Sequence, residues 1–225
     1  MPTFTTAFEP PPTIEGLTAS AETAAAVILE WSPTTLAEVD FVAYQVYRST
    51  TGQADDYELL ATISDRAQAT YIDYEAPIDV PLYYRLTQLS HDGESEPAET
   101  TSRLDVCEFW LVTVGAVGES FELPNVTDYA SSWPLQSTEH EPLGRPYKLI
   151  ETGQQLGEEG SLTCVLLPED APVLARLRSA VAGIDAELLL KTPYGEVFEV
   201  DLGTIERERQ QGGRQRVTFR FVQVA

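Results

Sequence analysis

Five arginines stand close together near the end of this chain: Arg207, Arg209, Arg214, Arg216 and Arg220, opposed locally only by Glu206 and Glu208. The chain as a whole carries a net charge of −22, so a cationic cluster in it is a feature to explain. Segregated opposite charges allow a molecule to associate head to tail with its own copies, and an acidic face of the next subunit is the partner such arginines would meet. The competing reading pairs them with nearby carboxylates of the same chain. Trp133, between Ser132 and Pro134, is the other candidate. On a loop it would stack on a sugar or fill a neighbour's pocket; otherwise it caps its own core.

Catalytic chemistry finds little to work with. The two histidines, His91 and His140, each lack a second ligand at helical or hairpin spacing, so no metal site is expected. Asp55-Asp56, Glu158-Glu159 and Glu169-Asp170 lack the alternating oxygen donors of a calcium loop and read as solvated charge, with Asp170 capping a helix. No phosphate loop, nucleophile elbow or paired-histidine motif occurs. The expectation is a protein that is not an enzyme and needs no cofactor. Asn125-Val-Thr127 matches a glycosylation acceptor, read as coincidence in a chain with no export signal.

The elements that position these residues follow from periodicity. Gly160 to Leu167 is a short apolar run bounded by Gly160 and Pro168, which fits a core strand. Glu169, Asp170 and Pro172 mark a helix start and Gly183 its end, which predicts a helix over about 170–182 with Val173, Leu174, Leu177 and Val181 on its buried stripe. Two strands joined at Tyr194-Gly195 follow, and the arginine cluster lies on a β-ribbon with a flexible tip at Gln210 to Gly213. Leu104 to Val114 alternates and reads as one strand, whereas Pro124 to Gly144 has little periodicity and reads as a long functional loop.

Earlier in the chain, residues 1–12 read as an extended arm ending in three prolines. Six short strands follow: Leu17–Ala19, Val27–Trp31, Val42–Arg48, Tyr57–Ile63, Thr70–Tyr74 and Leu82–Leu89, a spacing that indicates a sandwich. The fold class is therefore mainly β, with two sandwich domains at 13–102 and 103–225, the second carrying one packed helix. Ser102-Arg103 leaves almost no linker, which predicts a fixed angle between the domains. Residues 1–103 hold seventeen acidic and four basic side chains, and the rest nineteen and ten, so nucleic acid is not an expected partner. No leader or run of roughly 20 apolar residues is present, so membrane insertion is not expected and the chain is made in a cytoplasm. Cys107 and Cys164 lie in apolar runs and are expected to be buried and free.

Two resemblances add to this reading. Trp31-Ser-Pro33, Tyr44-Gln-Val-Tyr-Arg-Ser49 and Tyr83 to Ser90 with the His91 to Pro97 turn resemble a fibronectin type III module. In that family a corner tyrosine is usual; the position falls on Leu82, so either Tyr83 takes it or the hydrogen bond is missing. There is no Arg-Gly-Asp in the final loop, so integrin binding does not carry over. From Gly144 onward, the Pro142-Leu-Gly-Arg145 segment, Gly160-Ser-Leu-Thr163, the helix, Leu188 to Pro193 and the closing Val217 to Val224 strand are similar to minor tail proteins of tailed bacteriophages. That resemblance implies a tail-type sandwich related to distal-tail and tail-tube proteins. It implies a virion component that assembles into a hexameric or trimeric ring, meets other tail proteins, and touches cell-surface glycans weakly through its outer module. The alternative is a carbohydrate-binding or accessory module of a secreted bacterial polysaccharide-degrading system.

Overall fold

The computed structural model describes residues 10–23, 26–132, 135–140, 149–155, 158–182 and 187–224. They form two compact units, Met1–Cys107 and Glu108–Ala225.

The first unit is built from β1 (Thr18–Thr23), β2 (Ala26–Glu30), β3 (Phe41–Ser49), β4 (Glu58–Ile63), β5 (Thr70–Asp73), β6 (Leu82–Ser90), β7 (Gly93–Glu94) and β8 (Ala98–Ser102). One sheet has the order β1-β2-β5; the other has the order β4-β3-β6-β7, with β8 also paired to β6. All six expected strands are present, and β2, β3 and β6 turn apolar rows inward: Val27 and Leu29 from one sheet, Tyr44, Val46, Leu82, Tyr84 and Leu86 from the other. Trp31 lies at the end of β2 with its ring edge-on to Tyr44 at 5.5 Å. No tyrosine to backbone bond is made by Tyr83 among the described residues. Its neighbour Tyr84 is buried, and the Tyr84 hydroxyl donates to the side chain of Asp73 at 2.8 Å, not to the backbone.

The boundary falls later than the residue 102/103 junction read from the sequence. Leu104 is buried in the first unit, forms a parallel bridge with Ile78, and its carbonyl accepts from the Asp79 amide at 2.9 Å. The strand expected from Leu104 to Val114 therefore starts only at Phe109. Cys107, expected to be buried, is exposed on the intervening segment, while Cys164 is buried, and neither forms a disulfide.

The second unit contains β9 (Phe109–Thr113), β10 (Phe121–Leu123), β11 (Val126–Ser132), β12 (Leu135–His140), β13 (Leu149–Gln155), β14 (Glu159–Leu166), α1 (Ala171–Ala182), β15 (Leu188–Lys191), β16 (Val197–Arg209) and β17 (Gln215–Gln223). Seven strands make one antiparallel sheet, β10-β9-β15-β16-β17-β14-β11, and β12 pairs with β13. Most of the segment expected to be a loop, Pro124 to Gly144, is thus strand. β11 is an edge strand whose register comes from backbone pairing with β14, and only Val126 and Tyr129 reach the core, so no apolar alternation advertised it.

β16 bends the sheet. It pairs with β15 over Val197–Glu199 and with β17 from Val200 onward, with a register shift between Leu202 and Ile205 around Gly203. The two ends of the sheet then face each other across a single core containing Phe109, Leu111, Leu162, Cys164, Phe198, Val217, Phe219 and Phe221. Helix α1 packs Leu174 and Leu177 into that core. Val181, expected on the buried stripe, is 36% exposed, since the last turn runs past the core edge. The Asp170 carboxylate accepts from the Leu167 amide at 2.8 Å and fixes the entry to the helix.

Candidate functional site

The two ends of the second unit differ in chemistry, and β16 spans both. At one end β16 and β17 meet in the turn Gln210 to Arg214, closed by a Gln210 amide to Arg214 carbonyl bond of 2.9 Å. Gly212 and Gly213 take φ of 76° and 79°, which that turn requires. A Cβ on Gly213 would sit 3.3 Å from Pro168, so the tip expected to be flexible is seated beside the start of the helical segment. The ribbon is also no free arm, because β17 pairs along its length with β14 as well as with β16.

All five arginines are exposed, but the sheet divides them. Register places Arg207 opposite Val217 and Arg209 opposite Gln215 on the core-side face, while Arg216 lies opposite Glu208 on the outer face, which Arg220 shares. Arg214 stands at the turn. None of the five has a carboxylate within 4 Å among the described residues, so the local pairing with Glu206 and Glu208 is not formed. Three unpaired guanidinium groups, Arg207, Arg209 and Arg214, therefore gather at the helix end.

At the other end of the roll, strand starts and turns bring together residues that sequence spacing did not connect. Phe109 from β9 lies 5.2 Å from Tyr129 of β11 and 6.2 Å, edge-on, from Tyr194 in the β15–β16 turn. Tyr129 stacks in turn on Phe221 at 6.2 Å. The Thr192 hydroxyl accepts from the Tyr194 and Glu196 amides at 3.3 Å each and is 3.2 Å from the Glu196 carboxylate, which shapes the turn. Glu158 enters β14 on the core-side face. Its amide donates to Gln223 Oε1 at 3.2 Å and its carbonyl accepts from the Gln223 amide at 2.7 Å. Burial raises the Tyr129 phenol, Ser131 opposes the shift, and the carboxylates of Glu196 and Glu158 with the Tyr194 hydroxyl raise it further.

Glu158 is a correction to the sequence reading, which placed the Glu158-Glu159 pair in solvent. It is 4% exposed, and its carboxylate meets no cation within 4 Å and no hydrogen-bond donor among the described residues. Tyr194, which like Glu158 acts on the Tyr129 phenol, is 73% exposed. Aromatic rings with carboxylates near them suit a cation, above all a guanidinium, which is planar and stacks on rings while bonding to a carboxylate. The only sequence signal was the Pro193-Tyr-Gly195 turn, which presents a tyrosine at its apex.

Trp133 lies outside the described residues. His91 occupies the turn between β6 and β7, its amide donating to the Asp40 carbonyl at 3.3 Å, and the backbone of His140 ends β12. Among the described residues no group of three or more His, Cys, Asp or Glu converges as a metal site. Among the described residues no helix is long and apolar enough to cross a membrane. On the first unit, Tyr47, Tyr57 and Tyr83 are half-exposed around Arg85, whose guanidinium lies 3.7 Å over the Tyr57 ring and pairs with Glu99 at 2.7 Å.

No family model and no curated protein matches the chain. Solved structures match parts of the chain at low similarity. A fibronectin type III-like protein from Clostridium thermocellum is 24% identical, covering 41% of this chain and 92% of that one, with a TM-score of 0.35. Pectate lyase PelI from Erwinia chrysanthemi, in complex with tetragalacturonic acid, is 23% identical, covering 39% of this chain and 28% of that one, with a TM-score of 0.32. A chain from the tail of an empty GTA particle with C6 symmetry is 11% identical, covering 52% of this chain and 91% of that one, with a TM-score of 0.38.

Proposed function

We propose that this chain is a structural component of a bacteriophage virion tail, a minor tail protein that works by assembling with its own copies into a ring and with neighbouring tail proteins. No turnover, cofactor or metal is part of this reading. The ordered segments of the second unit that resemble minor tail proteins support it. The observation that carries it is the β12–β13 hairpin. β11 leads into β12 and β13 into β14, yet beyond the seven-stranded sheet β12 and β13 pair only with each other among the described residues. A two-stranded hairpin is marginal in water by itself and gains stability from a third strand or a surface. In a tail, the neighbouring subunit supplies that surface.

The test replaces residues 133–157 with Asn-Gly, so that Asn-Gly-Glu158 forms a three-residue loop between the paired Ser132 and Glu159. Light scattering over a concentration and salt series is expected to give a trimer or hexamer for the full chain and a folded monomer for the variant. Association unchanged by the replacement would remove the hairpin as the contact. A full chain that stays monomeric, alone and mixed with other tail proteins, would sink the assembly reading.

A second reading, an accessory module that binds carbohydrate, is favoured by the three tyrosines around Arg85, since sugar rings stack on aromatic faces. Binding on a glycan array that is lost in Tyr47→Ala with Tyr83→Ala would favour it.

A further inference from the structure

We propose that the arginine end of the second unit docks into the aromatic and acidic end of the same unit in another copy, so that copies associate head to tail. This deepens the assembly reading and rests on it. The 13 residues of β16 separate the two ends by about 40 Å of strand, with Glu196 just before its first residue and Arg209 its last. One end thus carries Arg207, Arg209 and Arg214 with no carboxylate in reach among the described residues. The other carries Glu158, the exposed Glu196 and the rings of Phe109, Tyr129 and Tyr194.

Each end has what the other lacks. Carboxylates attract an incoming guanidinium, and rings beside them add a cation–π contribution in a partly desolvated place. The occupant is a second copy because the chain itself holds the complementary group. A net charge of −22 repels like molecules at long range, so docking needs a local cluster of cations, which among the described residues this end of the unit supplies in Arg207, Arg209 and Arg214. The two surfaces lie at opposite ends of one element and are different, so the contact is heterologous. It leaves one free arginine end and one free acidic end on every pair, ready for a further copy.

The experiment uses the full-length chain in sedimentation velocity, with two double variants, Arg209→Glu with Arg214→Glu and Glu158→Gln with Tyr194→Ala. Circular dichroism melts establish that each is folded, and Tyr194→Ala alone, on an exposed turn, serves if the Glu158 change unfolds the protein. Each double variant is expected to weaken self-association at least tenfold. Their equimolar mixture is expected to recover a dimer and nothing larger, because one intact arginine end then meets one intact acidic end. Variants that associate as the wild type does, or a mixture that gives no dimer, would overturn the proposal. If the hairpin replacement gives monomers while both double variants still assemble, the assembly reading stands and this contact falls. A wild-type chain that never associates would remove both.

Discussion

The hydroxyl of Tyr84 donates to the Asp73 carboxylate at 2.8 Å in the interior of the first unit, and the Arg48 Nη1 donates to both oxygens of the same carboxylate at 2.9 Å. Asp73 ends β5 in one sheet, whereas Arg48 and Tyr84 belong to β3 and β6 in the other. The network is a polar staple across the sandwich. Burial, then the charge of Asp73, pushes the Tyr84 phenol well above its ordinary range, so it stays protonated and keeps donating.

Removing the acceptor leaves Arg48, whose side chain is only 14% exposed, without its counter-charge. Asp73→Asn is expected to destabilise the first unit by about 3 kcal/mol, and Tyr84→Phe by about 1 kcal/mol. Urea denaturation of both variants checks this. Equal losses would mean that the hydroxyl, rather than the ion pair, ties the sheets together.

Gly160 lies where β11, β14 and β17 run side by side, and a Cβ there would collide with the Ala130 carbonyl oxygen and come within 2.7 Å of the Phe221 ring. Neither the ladder nor the packed ring yields cheaply. Gly160→Ala is expected to cost about 1–3 kcal/mol and to speed hydrogen exchange in β11 before the rest of the sheet. Exchange rates in β11 that match the wild type would show that the edge strand absorbs the methyl group.

Burial pushes the Cys164 thiol from its ordinary value of 9.0 up to about 11. The folded state therefore holds the proton over a pH range in which the unfolded chain has lost it. Stability from this group is complete below about pH 9 and falls at up to about 1.4 kcal/mol per unit as pH rises towards 11. Cys164→Ala is expected to flatten that decline, and denaturation of the two proteins at pH 8, 9.5 and 10.5 measures the difference. A parallel pH dependence in both would assign the decline to tyrosines instead.

The sequence by itself determined the strands of the first unit, the helix and its cap, and the closing ribbon, because each of those elements buries one face and so must alternate apolar with polar residues or repeat at helical spacing. It also showed that five arginines stand against the charge of the rest. The tertiary structure alone decided which face each arginine takes, since the period of two in a strand sends neighbours to opposite sides and only the register with β17 says which side is the core. It alone made β11 a strand, through backbone pairing that leaves little trace in side chains. It alone brought Phe109, Tyr129, Glu158 and Tyr194 together. Phe109 and Tyr129 belong to opposite ends of one sheet, and they meet because β16 bends at its bulge and rolls those ends into contact, a long-range closure that no local spacing encodes.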